Sequence, residues 1–171
     1  EVDPFPPDEN DTTLASAGAF FPSTSNPGFG NLSPLDVEVL TGANNPGAVA
    51  SMDVNFSNRN NFAFGDSIGS QQQDFHATML HELTHAFGFF GNIRSDGKSD
   101  LRGRDNVWGP FDQFVADSSG VAIIDPVTFL VDKPRWDAAK TSSLTFIGPS
   151  AMAANGGVPV PLFSPSVFNI G

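Results

Sequence analysis

The chain has 171 residues, 39% of them apolar and none of them cysteine, which suffices for one domain with its own core and leaves no disulfide framework or thiolate metal site. A formal charge of −11 and a pI near 4.3 argue against nucleic acid or an anionic membrane surface as a partner, since both need clustered Lys and Arg. No stretch approaches the roughly 18 consecutive apolar residues of a membrane span.

Residues 1–34 are dense in Pro, Asp, Asn, Ser and Gly, and Pro4, Pro6, Pro7, Pro22, Pro27 and Pro34 interrupt regular structure. They read as an N-terminal arm, either loosely packed or docked on a second copy in self-association, ahead of a single domain over 35–171. Glu1 follows no basic and apolar leader, as expected of a processed, mature and secreted chain. Residues 35–40 alternate apolar and acidic side chains and predict a half-exposed strand that ends at Thr41 and Gly42. A turn at 44–47 leads to a second strand over 49–56. Phe62 and Phe64 anchor a short strand or loop inside a polar stretch.

Residues 75–88 predict the longest helix, with Asp74 at its N-cap and Gly88 and Gly91 to end it. Within it His81, Glu82 and His85 form a His-Glu-x-x-His unit. At about 100° per residue the two imidazoles project within roughly 40° of each other, so both reach one metal ion. Neutral imidazole nitrogen is a good Zn²⁺ ligand. Glu82 stands roughly 60° around from His85, where its carboxylate can take a proton from a water beside the metal. Phe75, Met79, Leu80, Leu83, Ala86 and Phe87 fill an arc nearly opposite the histidine pair and predict the core face. His76 falls inside that arc and is expected to be a core or capping histidine.

Beyond the helix, residues 92–110 form a mixed-charge loop in which 95–100 is rich in oxygen donors. A Ca²⁺ site there lacks the spacing of an EF-hand, and a solvated loop is the alternative. Residues 108–115 predict a short element that packs Phe111 and Phe114 inward. The apolar runs 121–124 and 127–131 predict strands from their β-branched content. Asp132 with Pro134 marks a helix start. A strand over 144–147, a helical turn over 150–154 and an extended stretch over 158–163 complete an α+β reading, with one long helix against a small sheet.

The run from His81 to Gly88, His-Glu-Leu-Thr-His-Ala-Phe-Gly, resembles the HExxHxxG motif of the metzincin zinc peptidases. The resemblance implies a zincin-like fold, a small twisted mixed sheet on the active-site helix, a peptide or protein substrate held against an edge strand, and a third ligand three residues after the glycine. Here Gly91 occupies that position. The long insert and the run Leu162, Phe163, Ser164, Pro165 and Phe168 are similar to secreted bacterial relatives of the leishmanolysin branch, in which the third histidine follows such a run. By that resemblance the third histidine is expected just past Gly171.

Within the chain, Asp112 and Asp117 are the alternative third ligands, as in the aspartate-ligated zincins, because no glutamate follows Glu82. No tyrosine is present among the 171 residues, so the oxyanion-stabilising side chain common in this class is missing. The functional expectation is a secreted zinc endopeptidase with Glu82 as general base and His81 and His85 as metal ligands. The alternatives are an inactive zincin-like domain serving as an extracellular structural, adhesive or self-assembling protein, and one half of a cleaved enzyme whose other half supplies the ligand.

Overall fold

The computed structural model describes residues 14–19, 26–30, 32, 34–44, 50–54, 62–101 and 106–164. The mixture is α+β, as expected, but its strands are short and divide among several small sheets. β1 (Ala15–Ala19) pairs antiparallel with β3 (Ala50–Val54). β2 (Gly28–Phe29) lies parallel to β6 (Val107–Trp108), and β4 (Phe62–Ala63) parallel to β5 (Gln73–Asp74). An antiparallel set runs β7 (Val115–Ala116), β8 (Thr145–Phe146) and β9 (Val160–Pro161). The single mixed sheet expected beside the helix is thus replaced, among the described residues, by four separate pieces.

Helix α1 (Pro34–Thr41) occupies the stretch whose alternation predicted a strand. Its punctuation explains the difference. Pro34 supplies a preset φ at the first turn, Asp36 lies where the helix dipole favours an acid, and Gly42 at φ +68° ends the helix while its N–H reaches the Glu38 carbonyl at 2.8 Å. The helix remains largely on the surface, with Val39 and Leu40 exposed.

Helix α2 (Phe75–Ala86) carries the histidine motif and is the longest helix among the described residues. Asp74 caps it as expected, its Oδ1 accepting the N–H groups of His76 at 2.8 Å and Ala77 at 3.2 Å. Gly88 at φ +80° turns the chain out of the helix. α2 packs against both β1 and β3, so residues 15–19 belong to the body of the domain. Gly28–Phe29 pairs with Val107–Trp108 as well, so these described segments dock on their own chain. Residues 1–13, 20–25, 31 and 33 lie outside the described residues.

The second half holds a core of Val115, Ile123, Trp136 and Ala139, with Ile93, Phe111, Val131, Leu144 and Leu162 against it. Helix α3 (Lys133–Ala139) starts at Asp132, whose Oδ1 accepts the Arg135 N–H at 3.1 Å, and contributes the buried Trp136. The apolar runs 121–124 and 127–131 are not strands. They meet their neighbours through single bridges, Ala116 with Ala122 and Ile124 with Val131, because Asp125 folds the chain back by accepting the Val127 and Thr128 N–H groups. Phe129, at φ +58°, is held in that tight turn, and its carbonyl accepts the Nε1–H of the buried Trp108 at 2.8 Å. Helix α4 (Pro149–Ala154) follows β8.

The oxygen-rich stretch 95–100 forms a hairpin bridged at Ile93 and Ser99, with Gly97 at φ +82° in its turn. Its acceptors meet donors of the protein: Asp96 Oδ1 accepts the Lys98 N–H, and the Ser95 carbonyl accepts Lys140 Nζ at 2.8 Å. No helix is long and apolar enough to cross a membrane among the described residues.

Candidate metal centre

α2 is rotated about its axis relative to the face its apolar residues predict. Glu82 and Ala86 are the buried residues, while Leu80 and Leu83 are 64% and 43% exposed. On a wheel of about 100° per residue, the buried face is centred near Glu82 and turned roughly 80° toward the histidines. Phe75 explains part of this rotation. It packs edge-on against Phe62 at 5.4 Å between ring centroids and against Phe64 at 4.8 Å, anchoring the first turn beside β4. His76, expected in the core or the cap, is an exposed side chain whose Nδ1 lies 3.9 Å from Asp74. It stands apart from the other two histidines.

The i,i+4 spacing brings the rings of His81 and His85 together on one side of α2. Their Nε2 atoms are 3.0 Å apart, with ring centroids at 4.5 Å and planes at 85°. His85 Nδ1 lies 3.0 Å from the Phe89 carbonyl oxygen, which can only accept, so this nitrogen carries the proton and donates. The neutral ring then keeps its lone pair on Nε2, facing His81. A backbone carbonyl fixing the outer nitrogen of a histidine is the usual support of a metal-binding imidazole. The Gly88 turn produces it, because leaving the helix there carries the Phe89 carbonyl back over the last turn. Two imidazole nitrogens on one side of α2 fit a divalent cation as two donors. Among the described residues no third His, Cys, Asp or Glu joins them.

Glu82 lies on the inner side of α2 at 7% exposure, next in sequence to the exposed His81 and about one turn before the half-buried His85. It is closer to the protein interior than spacing alone suggested.

Neither aspartate considered as a third ligand is available for one. Asp112 is fully buried; Oδ1 accepts the Asn92 N–H at 2.7 Å, and Oδ2 accepts Asn92 Nδ2 at 2.9 Å and the Gly109 N–H at 2.8 Å. Burial pushes its carboxyl up to about 6 against the pull of those three donors. Asp117 accepts the Ser119 and Val121 N–H groups and pairs with Arg135, and the Val121 bond foremost holds its carboxyl below the usual range.

A cleft of about 740 Å³ opens at the C-terminal end of α2. Phe87 and Phe89 wall one side, Leu40 of α1 and Ala151 of α4 the others, and Phe111 and Phe146 line it between them. Sequence reasoning missed this cleft, since it depends on how α1 and α4 meet the helix end. The buried link from Asn92 to Asp112 was missed also. Residues 108–115 read as a short element packing Phe111 and Phe114 inward, and nothing local pointed to a partner twenty residues back.

No protein-family model, curated protein or solved structure matches the chain.

Proposed function

We propose that the protein is a secreted, zinc-dependent endopeptidase of zincin-like build. The observation that carries this reading is the approach of His81 Nε2 and His85 Nε2 to 3.0 Å, with His85 Nδ1 committed to the Phe89 carbonyl. His81 and His85 would hold the metal through these nitrogens. Bound zinc supplies Lewis acidity toward the scissile carbonyl and lowers the pKa of an attacking water. The Glu82 carboxylate takes that water's proton and passes it to the leaving amine nitrogen. Its burial keeps solvent away from the proton it moves.

The burial of Glu82 also favours a second reading, in which the carboxylate is an inner structural group of an inactive zincin-like domain with an extracellular structural, adhesive or self-assembling role. Zinc analysis with casein or quenched-peptide hydrolysis, before and after chelation, separates the two. Chelator-sensitive hydrolysis supports the enzyme. Folding insensitive to chelation, with no hydrolysis and no bound zinc, overturns it.

A further inference from the structure

We propose that Asn155 is a site of self-modification, at which the chain's own backbone displaces the side-chain amide and leaves an acid. Asn155-Gly156 is the one Asn-Gly pair in the sequence. Asn155 caps the C-terminal end of α4, and it and the two glycines after it are exposed. Gly156 and Gly157 stand at φ +69° and +85°, and a Cβ at either would meet no heavy atom within 4 Å. No side chain crowds the nitrogen that follows Asn155.

That nitrogen is also free to react. The Asn155 N–H donates to the Ala151 and Met152 carbonyls and the Gly157 N–H to that of Met152 at 2.7 Å, but the Gly156 N–H between them meets no acceptor among the described residues. The Gly156 nitrogen attacks Asn155 Cγ and closes a five-membered imide. The Cγ–Nδ2 bond breaks, and the amide nitrogen leaves as ammonia with the proton from Gly156. Water then opens the ring at either carbonyl to give aspartate or isoaspartate, with nothing oxidised or reduced. Asp96-Gly97 has the same spacing and is the poorer electrophile, because the Lys98 N–H on Asp96 Oδ1 holds that group as a carboxylate.

The consequence follows from what the amide does before it is lost. Asn155 Nδ2 donates to the carbonyls of Val158 and Pro159, both at 3.2 Å, and so ties the approach to β9 against the end of α4. A carboxylate only accepts and would face two acceptors. Losing the tie loosens β9 on β8, where Val160 pairs with Phe146 of the cleft lining. The same two bonds slow the reaction in the folded chain, since ring closure turns Asn155 away from its ψ of 30°.

The test is peptide mapping by mass spectrometry of the full chain, aged in EDTA at mildly alkaline pH beside the same chain in urea. Asn155 of the folded chain is expected to become an acid, with one further negative charge on isoelectric focusing. Gly156→Ala and Asn155→Gln should each slow the conversion at least about tenfold, the first by crowding the nitrogen and the second by demanding a larger ring. Asn155→Asp, the product made directly, should speed exchange of the Leu162 N–H, bonded to the Leu144 carbonyl at 2.9 Å, by at least about fivefold. Asn155 intact in the folded chain once the urea sample has converted, or conversion as fast in Gly156→Ala, overturns the site. Unchanged exchange in Asn155→Asp overturns its consequence. Neither outcome touches the peptidase reading.

Discussion

Asp112 holds Asn92 by two bonds at once, one carboxylate oxygen on the Asn92 N–H at 2.7 Å and the other on its side-chain Nδ2 at 2.9 Å. The second oxygen also takes the Gly109 N–H, and a Cβ at Gly109 would come within 2.7 Å of Asn92 Nδ2. The contact therefore needs both the acid and the glycine. It fastens the segment that leaves α2 to the turn before β7, and so helps fix where the Phe89 carbonyl and the cleft wall stand.

Replacing Asp112 with Asn leaves an amide NH₂ facing N–H donors in a fully buried place. The expected cost is about 2–4 kcal/mol of unfolding free energy, to be measured by urea denaturation at pH 7. A loss under about 0.5 kcal/mol, typical of surface substitutions, would mean that the brace does not hold the fold.

The same carboxyl shapes the pH dependence of stability. Its folded pKa of about 6 is raised from 3.8, so the native state holds the proton more tightly than the unfolded chain. Its contribution is fully present below about pH 4 and is lost as pH rises toward 6, by at most about 3 kcal/mol. Asp117, Asp125 and Asp137 have the opposite sign. The Val121 N–H, the Thr128 N–H and the Lys133 ammonium hold their respective carboxyls low, so the stability they contribute is present above pH 3.8 and lost as pH falls below it. Denaturation of the wild type against Asp112→Asn across pH 3–8 should isolate the first effect, the difference curve bending between pH 4 and 6 and nowhere else. A flat difference would show that this group does not titrate in that window.

The N-cap of α2 gives a local prediction. Asp74→Ala removes the acceptor for the His76 and Ala77 N–H groups and should lower stability by about 1 kcal/mol. Thermal unfolding reads it. Asp74→Asn should recover most of the loss, since Asn caps nearly as well; an Asn variant no better than Ala would locate the effect in charge instead.

How far the sequence revealed this arrangement depended on how local the determining physics was. Asp74, Gly88 and the pair His81 and His85 were legible because caps and i,i+4 neighbours are set by backbone geometry alone. The 35–40 stretch was not, because two alternating acids imitate a strand while Pro34 and Gly42, the stronger punctuation, frame a helix. Nor was the burial of Glu82. Which side of α2 turns inward follows from the way β1 and β3 seat against it and from Phe75 meeting Phe62, and both are contacts between distant parts of the chain. The tie between Asp112 and Asn92 belongs to the same category.

The proposed metal centre yields the most demanding prediction, because it asks three residues to fail in three different ways. His85→Ala removes a donor and should weaken zinc binding by at least about tenfold, together with any hydrolysis. Glu82→Gln should keep zinc and lose turnover by about 10²-fold or more, the contribution of a positioned general base. Gly88→Ala acts at a distance. At φ +80° an alanine is strained by about 1 kcal/mol, and relief of that strain shifts the Phe89 carbonyl away from His85 Nδ1, loosening the tautomer that leaves the Nε2 lone pair facing His81. Zinc affinity should fall by about tenfold while Glu82 remains in place, so kcat measured at saturating zinc should recover toward the wild-type value. Elemental analysis, a zinc titration and peptide hydrolysis on the three variants check the pattern. If Gly88→Ala loses turnover at saturating zinc as completely as Glu82→Gln does, the Phe89 carbonyl is not acting through His85.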